Sequence, residues 1–525
     1  MISSVISALL LAAASPAAPT LSAERIKADV KVLSSDGYKG RGPAQSGEAP
    51  TLAYLEKRFR DLGLKVERQA VPLVRLTRTD ASFRLNGRPL TPGREIAATS
   101  GIVGATRLAP TPVVFAGYGI AAQGYDPYAG VDVKGKVVVV LVGDPDGEAG
   151  RDLGFGGRAL TLAGRTKAAE AWKRGAAAVL TIHEDFAASY PWLQRASSDP
   201  APAYRLDDGK AAPALGIRGS LREDVGRALL KDAGLDLDRE KLAARDPAWR
   251  AKPLAGVTFA GEVETREDRV VSHNVVAVLP GSEPAAGSIL YGAHWDAYGE
   301  NAFDPPADRI RNGAVDNATG TATLLEVARA FAKGPRPRRS VVFGLWTAEE
   351  KGLLGAYHYA AHPVLPLATT AAQFNLDPHV VFPAVRTIEL IGGGRTPLEA
   401  ELTRVAAAQG LKLVPEENSE AGWYFRSDHL PFAEKGVPGV YFRAGRELAR
   451  GGRAAGEAWR ARYNARCYHQ TCDAFDPAWD MTGAAQEGSV ALALGREIAG
   501  STAWPGWNAD VSYAAVRAAS AGERR

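Results

Sequence analysis

The sequence predicts a three-layer α/β/α sandwich in its C-terminal half, with helices on both faces of a mainly parallel sheet. Three observations lead to this fold class. From about residue 268, short apolar segments recur, as at 274–279, 288–293 and 340–346. Segments with helical periodicity lie between them, and polar residues gather where the apolar segments end. Strands that alternate with helices are typical of α/β proteins whose parallel sheet is covered on both faces.

The N-terminal half is predicted to contain a helical region and a separate insert. Leu52, Leu55, Phe59 and Leu62 share helical spacing, which indicates helix within residues 24–64. A β-rich region follows, and the order of apolar and helical segments over 136–182 indicates strand, helix and strand, as in a small α/β insert. The Pro/Ala-rich stretch 200–203 and the region near Pro253 are interpreted as connectors.

Composition excludes several classes of protein. The chain has 525 residues, enough for about two to four domains. Hydrophobic residues make up 46% and charged residues 23%, which is ordinary for a globular protein. The 63 basic and 59 acidic residues nearly balance, and no basic stripe is interleaved with aromatic residues. The sequence therefore does not indicate a nucleic-acid partner.

The first 18 residues form a short apolar run followed by small residues, as in a secretory signal peptide. The usual basic residues before the run are missing, so an apolar arm is the alternative. No later stretch is long and apolar enough to span a bilayer, and no cysteine follows the run to carry a lipid anchor. We expect a signal peptide over residues 1–22 and a periplasmic or secreted protein.

Candidate metal ligands lie where the predicted strands end. In open α/β sheets, sites form outside the carboxyl ends of the strands, so side chains at several strand ends converge. Imidazole and carboxylate groups are the ligands expected for zinc in a hydrolase. The candidates are His294, Asp296, Asp316, Glu349, Glu350, Asp377 and His469.

These residues suffice for two neighbouring zinc ions, which require a bridging carboxylate and terminal ligands on each side. Asp316 is the predicted bridge, with His294 and Asp377 on one ion and Glu350 and His469 on the other. Asp296 is predicted to orient the imidazole of His294 from behind. Glu349 stays off the metal and is predicted to act as the general base.

At these residues the chain resembles the di-zinc aminopeptidase and glutamate carboxypeptidase family of metallopeptidases. The family pattern is H-x-D, D-N-x-x-G, E-E-x-G-L-x-G, an aspartate after an apolar strand, and Y-H, and this sequence has each in order. The segment 427–432 is similar to the S-D-H-x-P-F segment of the family. The resemblance covers about residues 268–500 and implies the zinc exopeptidase phosphorylase/hydrolase-like fold.

The resemblance also implies an activity, the zinc-dependent removal of single residues from peptide ends. It favours an aminopeptidase over a carboxypeptidase. It implies that Tyr468 donates a hydrogen bond to the tetrahedral oxyanion. The segment after Asp377 departs from the family, since Pro378 and His379 replace the usual methionine and glycine. The pocket is therefore expected to differ there.

The insert resembles a protease-associated domain at residues 117–120, 128–136 and 174–179. Such an insert is expected to cover the mouth of the site. The predicted division is a signal peptide over 1–22, the N-terminal part of the catalytic domain over 23–109, the protease-associated domain over 110–255 and the rest of the catalytic domain over 256–525. Peptides are the expected partners, and the sequence does not define the oligomeric state.

Several alternatives remain open. Arg311, Arg426 and Arg443 are candidate binders of a substrate carboxylate, which would favour a carboxypeptidase. A receptor-like scaffold without activity and a single-zinc cyclase are also considered, although the complete ligand set argues against both. Cys467 and Cys472 are interpreted as a local disulfide rather than as metal ligands. Further residues that could border the pocket or belong to the core are Trp295, His379, Trp423, Tyr424, Phe425, Asp428 and His429.

Overall fold

The computed structural model describes residues 21–121, 124–143, 145, 167–188, 190–197, 199, 201–209, 216–301, 304–417 and 422–524. The predicted signal peptide therefore lies almost wholly outside the described residues. In the part of the chain that the structure describes, no helix is long and apolar enough to cross a membrane.

Two N-terminal helices open the described chain, and short helices of the insert and longer helices of the C-terminal half follow. The helices are α1 (Ala23–Leu33), α2 (Glu48–Arg60), α3 (Lys167–Lys173), α4 (Asp185–Ala188), α5 (Trp192–Ser197), α6 (Glu223–Asp232), α7 (Leu237–Ala243), α8 (Gly320–Lys333), α9 (Leu354–Ala361), α10 (Leu398–Ala408), α11 (His429–Glu434), α12 (Gly452–Arg466), α13 (Thr482–Gly500) and α14 (Tyr513–Ala519).

The strands form one large mixed sheet and two small ones. They are β1 (Lys65–Leu85), β2 (Arg88–Leu90), β3 (Ile96–Thr99), β4 (Gly104–Phe115), β5 (Val137–Leu141), β6 (Ala178–His183), β7 (Ala203–Leu206), β8 (Ile217–Arg222), β9 (Lys252–Leu279), β10 (Ser288–His294), β11 (Gly299–Glu300), β12 (Ile310–Arg311), β13 (Ser340–Trp346), β14 (Thr370–Asn375), β15 (Thr387–Ile391), β16 (Lys412–Pro415) and β17 (Tyr441–Ala444).

A long antiparallel ribbon of β1 and β9 runs through the large sheet and belongs to both halves of the molecule. One end of β9 pairs with β13 and continues through β10 to β14, which gives the sheet of the C-terminal lobe. The other end pairs with β4 and continues through β5, β6 and β8 to β3, which gives the sheet of the insert. The two lobes are thus joined by continuous hydrogen-bonded strands.

The predicted α/β sandwich is confirmed in the C-terminal lobe. Helices α1, α2, α8 and α13 cover one face of its sheet, and α9 and α11 cover the other. Every residue of β10 and of β13 is buried, which explains why these strands are continuous apolar runs rather than alternating ones. The sheet is less parallel than predicted: β10, β13 and β14 are parallel, but β9 is antiparallel to β13 because it enters from the ribbon.

One local prediction is confirmed and another is corrected. Residues 24–64 are helical as predicted, in two α-helices separated by a break near Gly40, whose φ is 63°. A Cβ at Gly40 would lie 2.6 Å from the carbonyl oxygen of Arg311, so the turn packs tightly against the site. Pro253 is not in a connector: it lies in β9 beside a register irregularity of β4, where a missing N–H is tolerated.

The insert has hydrophobic clusters of its own on both sides of its sheet. Its boundaries do not coincide with ends of strands, since residue 110 lies within β4 and residue 255 within β9. The likeness of this insert to a protease-associated domain and the four-part division of the chain stay predictions.

A close helix–strand contact generates a test of this packing. Helix α13 lies directly on Tyr291 of β10, whose hydroxyl donates to the carbonyl oxygen of Ala491 at 2.8 Å. A Cβ at Gly495 would lie 2.8 Å from Cζ of the Tyr291 ring. We expect Gly495→Ala to lower the free energy of unfolding by about 1–3 kcal/mol, because overpacking forces side chains and backbone to shift.

The measurement is chemical denaturation followed by tryptophan fluorescence. Gly500→Ala is the matched control, since it ends the same helix and a Cβ there meets no atom within 4 Å. Equal unfolding midpoints for the two variants would contradict this packing.

Candidate metal centre

His294 ends β10 and is fully enclosed, with 1% of its surface exposed. Its Nδ1 lies 3.1 Å from the backbone carbonyl oxygen of Asp296 and 3.6 Å from the Oδ1 of the same residue. The backbone carbonyl of Asp296 therefore lies closer to the imidazole than the side chain of Asp296, which was predicted to orient it. The other ring nitrogen, Nε2, faces the site. The carboxylate of Asp296 instead accepts from the backbone N–H of Glu349 at 3.1 Å.

Asp316 lies in the turn before α8, and the Asp316–Asn317 peptide bond is cis. The carboxylate of Asp473 accepts from the N–H groups of Val315 at 2.9 Å and Asp316 at 3.2 Å. The side chain of Asn317 accepts from the N–H of Gly320 at 2.8 Å, at the first residue of the helix. The backbone on both sides of Asp316 is thus fixed by side chains, which leaves its carboxylate free to face the site.

Glu349 and Glu350 lie in a 3₁₀ turn (Glu349–Lys351) after β13. Asp377 follows β14, and its carboxylate accepts a short hydrogen bond from the hydroxyl of Ser427. The hydroxyl of Tyr441 donates to the backbone carbonyl of Asp377 at 3.1 Å. Three adjacent parallel strands therefore deliver acidic residues or a histidine to one edge of the sheet.

His469 comes from a different kind of element, a short loop closed by a disulfide between Cys467 and Cys472. The predicted local pairing of these cysteines is present in the structure. The φ of His469 is 60°, a left-handed conformation that a non-glycine residue rarely adopts. Its Nδ1 lies 3.0 Å from the hydroxyl of Tyr298, and the two rings are 4.5 Å apart.

The donor atoms converge in two groups that share Asp316. One group is His294, Asp316 and Asp377, and the other is Asp316, Glu350 and His469. The Oδ1 of Asp316 lies 3.2 Å from Nε2 of His294, and its Oδ2 lies 3.1 Å from Nε2 of His469. The two oxygens of one carboxylate therefore face one group each.

Burial and the repulsion between neighbouring carboxylates dominate the electrostatics of the site. Burial, with the neighbouring carboxylates of Asp428, Glu350 and Asp377, raises the pKa of Glu349 well above its ordinary value, although His294 opposes this. Burial and the charge of Asp316 likewise raise the pKa of Glu350. Burial disfavours protonation of His294, but the surrounding carboxylates, Glu349 foremost, still raise its pKa well above the ordinary value.

These observations test whether zinc fits the residues. Oε1 of Glu350 is buried and has no hydrogen-bond partner among the described residues. The nitrogen and oxygen donors are those that zinc prefers, and a divalent cation would offset the mutual repulsion of the buried carboxylates. The donor set therefore fits two ions: His294 and Asp377 would hold one, Glu350 and His469 the other, and Asp316 both.

Arg41 is a buried cation behind this cluster. It donates to the backbone carbonyls of Trp295 at 2.8 Å, Asn312 at 2.6 Å and Gly313 at 2.7 Å, so it ties the segments that carry His294 and Asp316 together. Burial lowers the pKa of Arg41 to about 10, while the nearby acids, Asp473 first, oppose that shift. Arg41 remains charged at neutral pH and adds positive potential behind the acidic cluster.

A cavity of about 260 Å³ opens onto the donor cluster, slightly below the usual range of about 300–1,000 Å³ for ligand pockets. Carboxylates of Asp316, Glu349, Glu350 and Asp377 line one part of it. Aromatic residues and two arginines line the remainder. Tyr468 is among the lining residues, and Nη2 of Arg426 lies 3.5 Å from its hydroxyl.

The residues whose placement the sequence left open now divide into pocket and core. His379, Trp423 and Phe425 line the cavity, whereas Tyr424 and Trp295 pack in hydrophobic clusters. His429 is buried between Tyr424 and Tyr441, away from the cavity. Burial, together with the charges of Arg443 and Arg460, lowers the pKa of His379 well below its ordinary value. Both carboxylate oxygens of Asp428 are buried without a hydrogen-bond partner in the described chain.

Arg311 is not available to a substrate. It is 2% exposed and donates two hydrogen bonds of 2.8 Å to the carboxylate of Asp304. Its guanidinium also donates to the backbone carbonyl of Ser197 in the insert at 3.1 Å. This candidate carboxylate binder is therefore a structural residue that attaches the insert to the site.

Other residues of this site were not distinguished by any sequence pattern. Tyr298, Asp473 and Arg41 act through contacts between segments distant in sequence. The insert also reaches the site: the ring of Tyr190 lies 5.6 Å from the guanidinium of Arg426. Ser197 accepts from the side chain of Gln470 at 2.8 Å, beside the His469 loop. Only the fold could place these residues.

Comparisons with known proteins define the class. Residues 274–493 match the model of peptidase family M28. This part of the chain, less than half of its length, therefore contains a peptidase family M28 domain, which is a domain of hydrolases.

Two curated relatives share part of the chain. It is 27% identical over 290 residues to leupeptin-inactivating enzyme 1 of Streptomyces exfoliatus, an alignment that covers 54% of this chain and 58% of that protein. It is 30% identical over 278 residues to a probable glutamate carboxypeptidase, AMP1, of Arabidopsis thaliana, with 47% of this chain and 35% of that protein covered. The chain thus matches less than two thirds of either relative.

Solved structures share the fold. An aminopeptidase from Aneurinibacillus sp. strain AM-1 has a TM-score of 0.55 at 19% identity, with 90% of this chain and 93% of that chain covered. BSAP, a zinc aminopeptidase from Bacillus subtilis, has a TM-score of 0.51 at 19% identity, with 95% and 98% covered. The fold thus extends over both lobes, insert included.

The hydroxyl of Tyr298 behind His469 generates a prediction. We expect Tyr298→Phe to weaken zinc binding by about 10-fold or more, because hydrogen-bond partners of ligating imidazoles set their orientation. The measurement is competition with a zinc chelator. Tyr38→Phe is the control, since that ring packs against Tyr54 and is not among the cavity-lining residues. Unchanged affinity in Tyr298→Phe would show that the contact does not orient the ligand.

The disulfide around His469 generates a second prediction about zinc binding. We expect the double variant Cys467→Ser/Cys472→Ser to bind one zinc ion more weakly, because the loop that holds His469 would regain conformational freedom. Competition with a zinc chelator measures the affinity for each zinc ion. A phosphine reductant should lower the affinity of the unmodified protein and leave the double variant unchanged; an effect on both would mean that the disulfide is not responsible.

Proposed function

We propose that the chain is an exported zinc exopeptidase that removes N-terminal residues from peptides. One observation carries the proposal: two groups of nitrogen and oxygen donors share the carboxylate of Asp316 at the edge of the sheet. The family, with relatives named as zinc metalloproteases and aminopeptidases, supports zinc and peptides as cofactor and substrate.

The proposed ligands of two zinc ions are His294, Asp316, Glu350, Asp377 and His469. When bound, zinc supplies Lewis acidity, which polarises the scissile carbonyl group and acidifies a water molecule. Glu349 is the proposed general base. Its carboxylate lines the cavity, lies 3.9 Å from Nε2 of His294 and belongs to neither donor group, so it is available to accept a proton from water and pass it to the leaving amine.

Two further residues have proposed supporting roles. Asp296 accepts from the backbone N–H of Glu349 at 3.1 Å and contacts His294, so it positions the base relative to a ligand. Tyr468 is proposed to donate its hydroxyl hydrogen to the oxyanion of the tetrahedral intermediate. Burial raises the pKa of the Tyr468 phenol well above its ordinary value, which keeps the hydroxyl protonated as a donor.

The aminopeptidase assignment uses the charge of the cavity around the donors. Asp316, Glu350 and Asp377 would be neutralised by the metal ions, but Glu349 lines the same cavity outside both donor groups, and its carboxylate would attract a free α-amine. The second candidate is a carboxypeptidase, which Arg426 and Arg443 in the same cavity would favour by attracting a terminal carboxylate. The insert, proposed to be a protease-associated domain, would restrict entry to the site through its contacts at Tyr190 and Ser197.

Peptide hydrolysis tests this function. We expect zinc-loaded protein to release N-terminal residues from free peptides and to leave N-acetylated peptides intact. Glu349→Gln should lower kcat by about 10²–10⁴-fold, because general acid–base catalysis contributes that factor, while two zinc ions per chain are retained. The assay is chromatographic detection of the released amino acid with metal analysis alongside.

Glu497→Gln, an exposed acid paired with Arg404 far from the cavity, is the matched control and should retain full activity. Release of C-terminal residues from N-acetylated peptides would move the assignment to carboxypeptidase. Absence of cleavage of every peptide by zinc-loaded protein would contradict an exopeptidase and favour a scaffold.

A further inference from the structure

Two histidines lie side by side at the C-terminal end of helix α9. His358 belongs to the last turn of the helix, and His362 directly follows it, four residues further along the chain. Residues at this spacing are neighbours on one face of a helix. The two ring centroids are 4.6 Å apart, with 32° between the ring planes. Neither histidine belongs to the donor groups around Asp316 or lines the cavity there, so the pair is separate from the candidate metal centre.

Each imidazole has one nitrogen committed to the backbone and one left over. Nδ1 of His362 lies 3.1 Å from the backbone carbonyl oxygen of His358, so we assign the proton to Nδ1 and the lone pair to Nε2. The ring of His358 is hydrogen-bonded to the backbone of Ala70, which likewise leaves its other nitrogen free. A metal-binding histidine commonly has this form, because the hydrogen bond of one nitrogen fixes the tautomer and the ring orientation for the other.

The surroundings of the pair favour neutral imidazoles beside a cation. Burial, followed by the charge of His362, lowers the pKa of His358, although the hydrogen bond to Ala70 opposes this. A metal binds the neutral form of imidazole, so a lowered pKa favours a ligand. Neither His358 nor His362 forms an ion pair with an acid in the described part of the chain, whereas Nδ1 of His273 lies 2.8 Å from Glu48. The C-terminal end of a helix also attracts positive charge.

The backbone that carries His362 is fixed by a chain of side-chain hydrogen bonds. Gln69 of β1 donates to the carbonyl oxygen of His362 at 2.7 Å and accepts from the side chain of Asn274 at 2.9 Å. Asn274 of β9 also accepts from the backbone N–H of Thr347 at 3.0 Å and donates to the carbonyl oxygen of Gly355 at 2.9 Å. Strands on both sides thus hold this end of α9 in place, which reduces the conformational entropy lost when a ligand binds.

We propose that His358 and His362 form a further metal site on the outside of α9 and that it binds a divalent transition-metal ion, with zinc as the expected ion. Two histidines at positions i and i+4 on one helix face are an established arrangement of zinc ligands, and imidazole also suits copper and nickel. No third histidine, cysteine or carboxylate joins the pair among the described residues. Solvent would complete the coordination, so this ion binds more weakly than ions held by three protein ligands and fills last.

Equilibrium dialysis with metal analysis tests the site. The full chain is dialysed against increasing concentrations of free zinc, and the zinc bound per chain is measured. We expect the unmodified protein to bind one more ion than His362→Gln at the same free zinc concentration, because the variant leaves a single imidazole. Equal zinc content of the two proteins at every concentration overturns the proposal.

Two further variants separate the pair from other effects of mutation. Ala361→His/His362→Ala keeps the number of histidines but moves one imidazole by one residue, about 100° around the helix axis. Residue 361 is exposed, so the exchange fits at the surface, and it should lose the ion as His362→Gln does. His273→Gln removes a partly exposed histidine that pairs with Glu48, and it should retain the ion. Retention in the exchange variant, or loss in His273→Gln, would contradict the pair as ligands.

Unfolding in urea gives a second readout. Zinc added beyond the level that fills the donor groups around Asp316 should raise the unfolding midpoint of the unmodified protein but not that of the exchange variant, because a ligand of the folded state stabilises it. Equal shifts in both proteins overturn the proposal.

The site is independent of the proposed peptidase activity, and the two proposals fail separately. If the protein cleaves no peptide, the exopeptidase function fails, yet a difference of one zinc ion between the unmodified protein and His362→Gln still supports the histidine pair. If peptides are cleaved and this difference is absent, the pair fails and the function stands.

Discussion

The sharing of one carboxylate between two imidazoles is the interaction on which the rest of this site depends. Asp316 can face both His294 and His469 only if its backbone is held in place. Asp473 accepts from the N–H of Asp316 itself, Arg41 donates to the carbonyl of Gly313 before it, and the side chain of Asn317 accepts from the N–H of Gly320 after it. Burial makes the free energy of this arrangement unfavourable, because carboxylates removed from water repel one another and favour the protonated state. Burial also makes it useful, because a cation placed among them is attracted more strongly than at a surface.

The β1/β9 ribbon explains how an insert so large can contribute to the site. Hydrogen-bonded strands continue from one lobe into the other, so the insert is not attached through a flexible linker. Its short helix α5 therefore arrives at a defined place, where Ser197 contacts both Arg311 and Gln470. Tyr190 is brought against Arg426 by the same geometry. The two lobes thus meet beside the cavity.

The cavity separates charge over a short distance. Carboxylates surround the donor groups, and two guanidinium groups lie beyond them against aromatic rings. Because both groups line one cavity of about 260 Å³, a ligand bound there would lie in the field of both.

Local sequence determined the strands and the candidate metal-ligating residues. Apolar runs buried on both faces gave β10 and β13 without ambiguity, and residues at their carboxyl ends converge because parallel strands end at one edge. Their positions after the predicted strands and in the following loops therefore sufficed to predict that five residues lie close together: His294, Asp316, Glu350, Asp377 and His469. Tertiary structure alone decided the direction of β9, the pairing of Arg311 with Asp304, and the positions of Tyr298, Tyr190 and Arg41. Each of these depends on contacts between residues far apart in the chain, for which no local pattern of polarity or spacing is required.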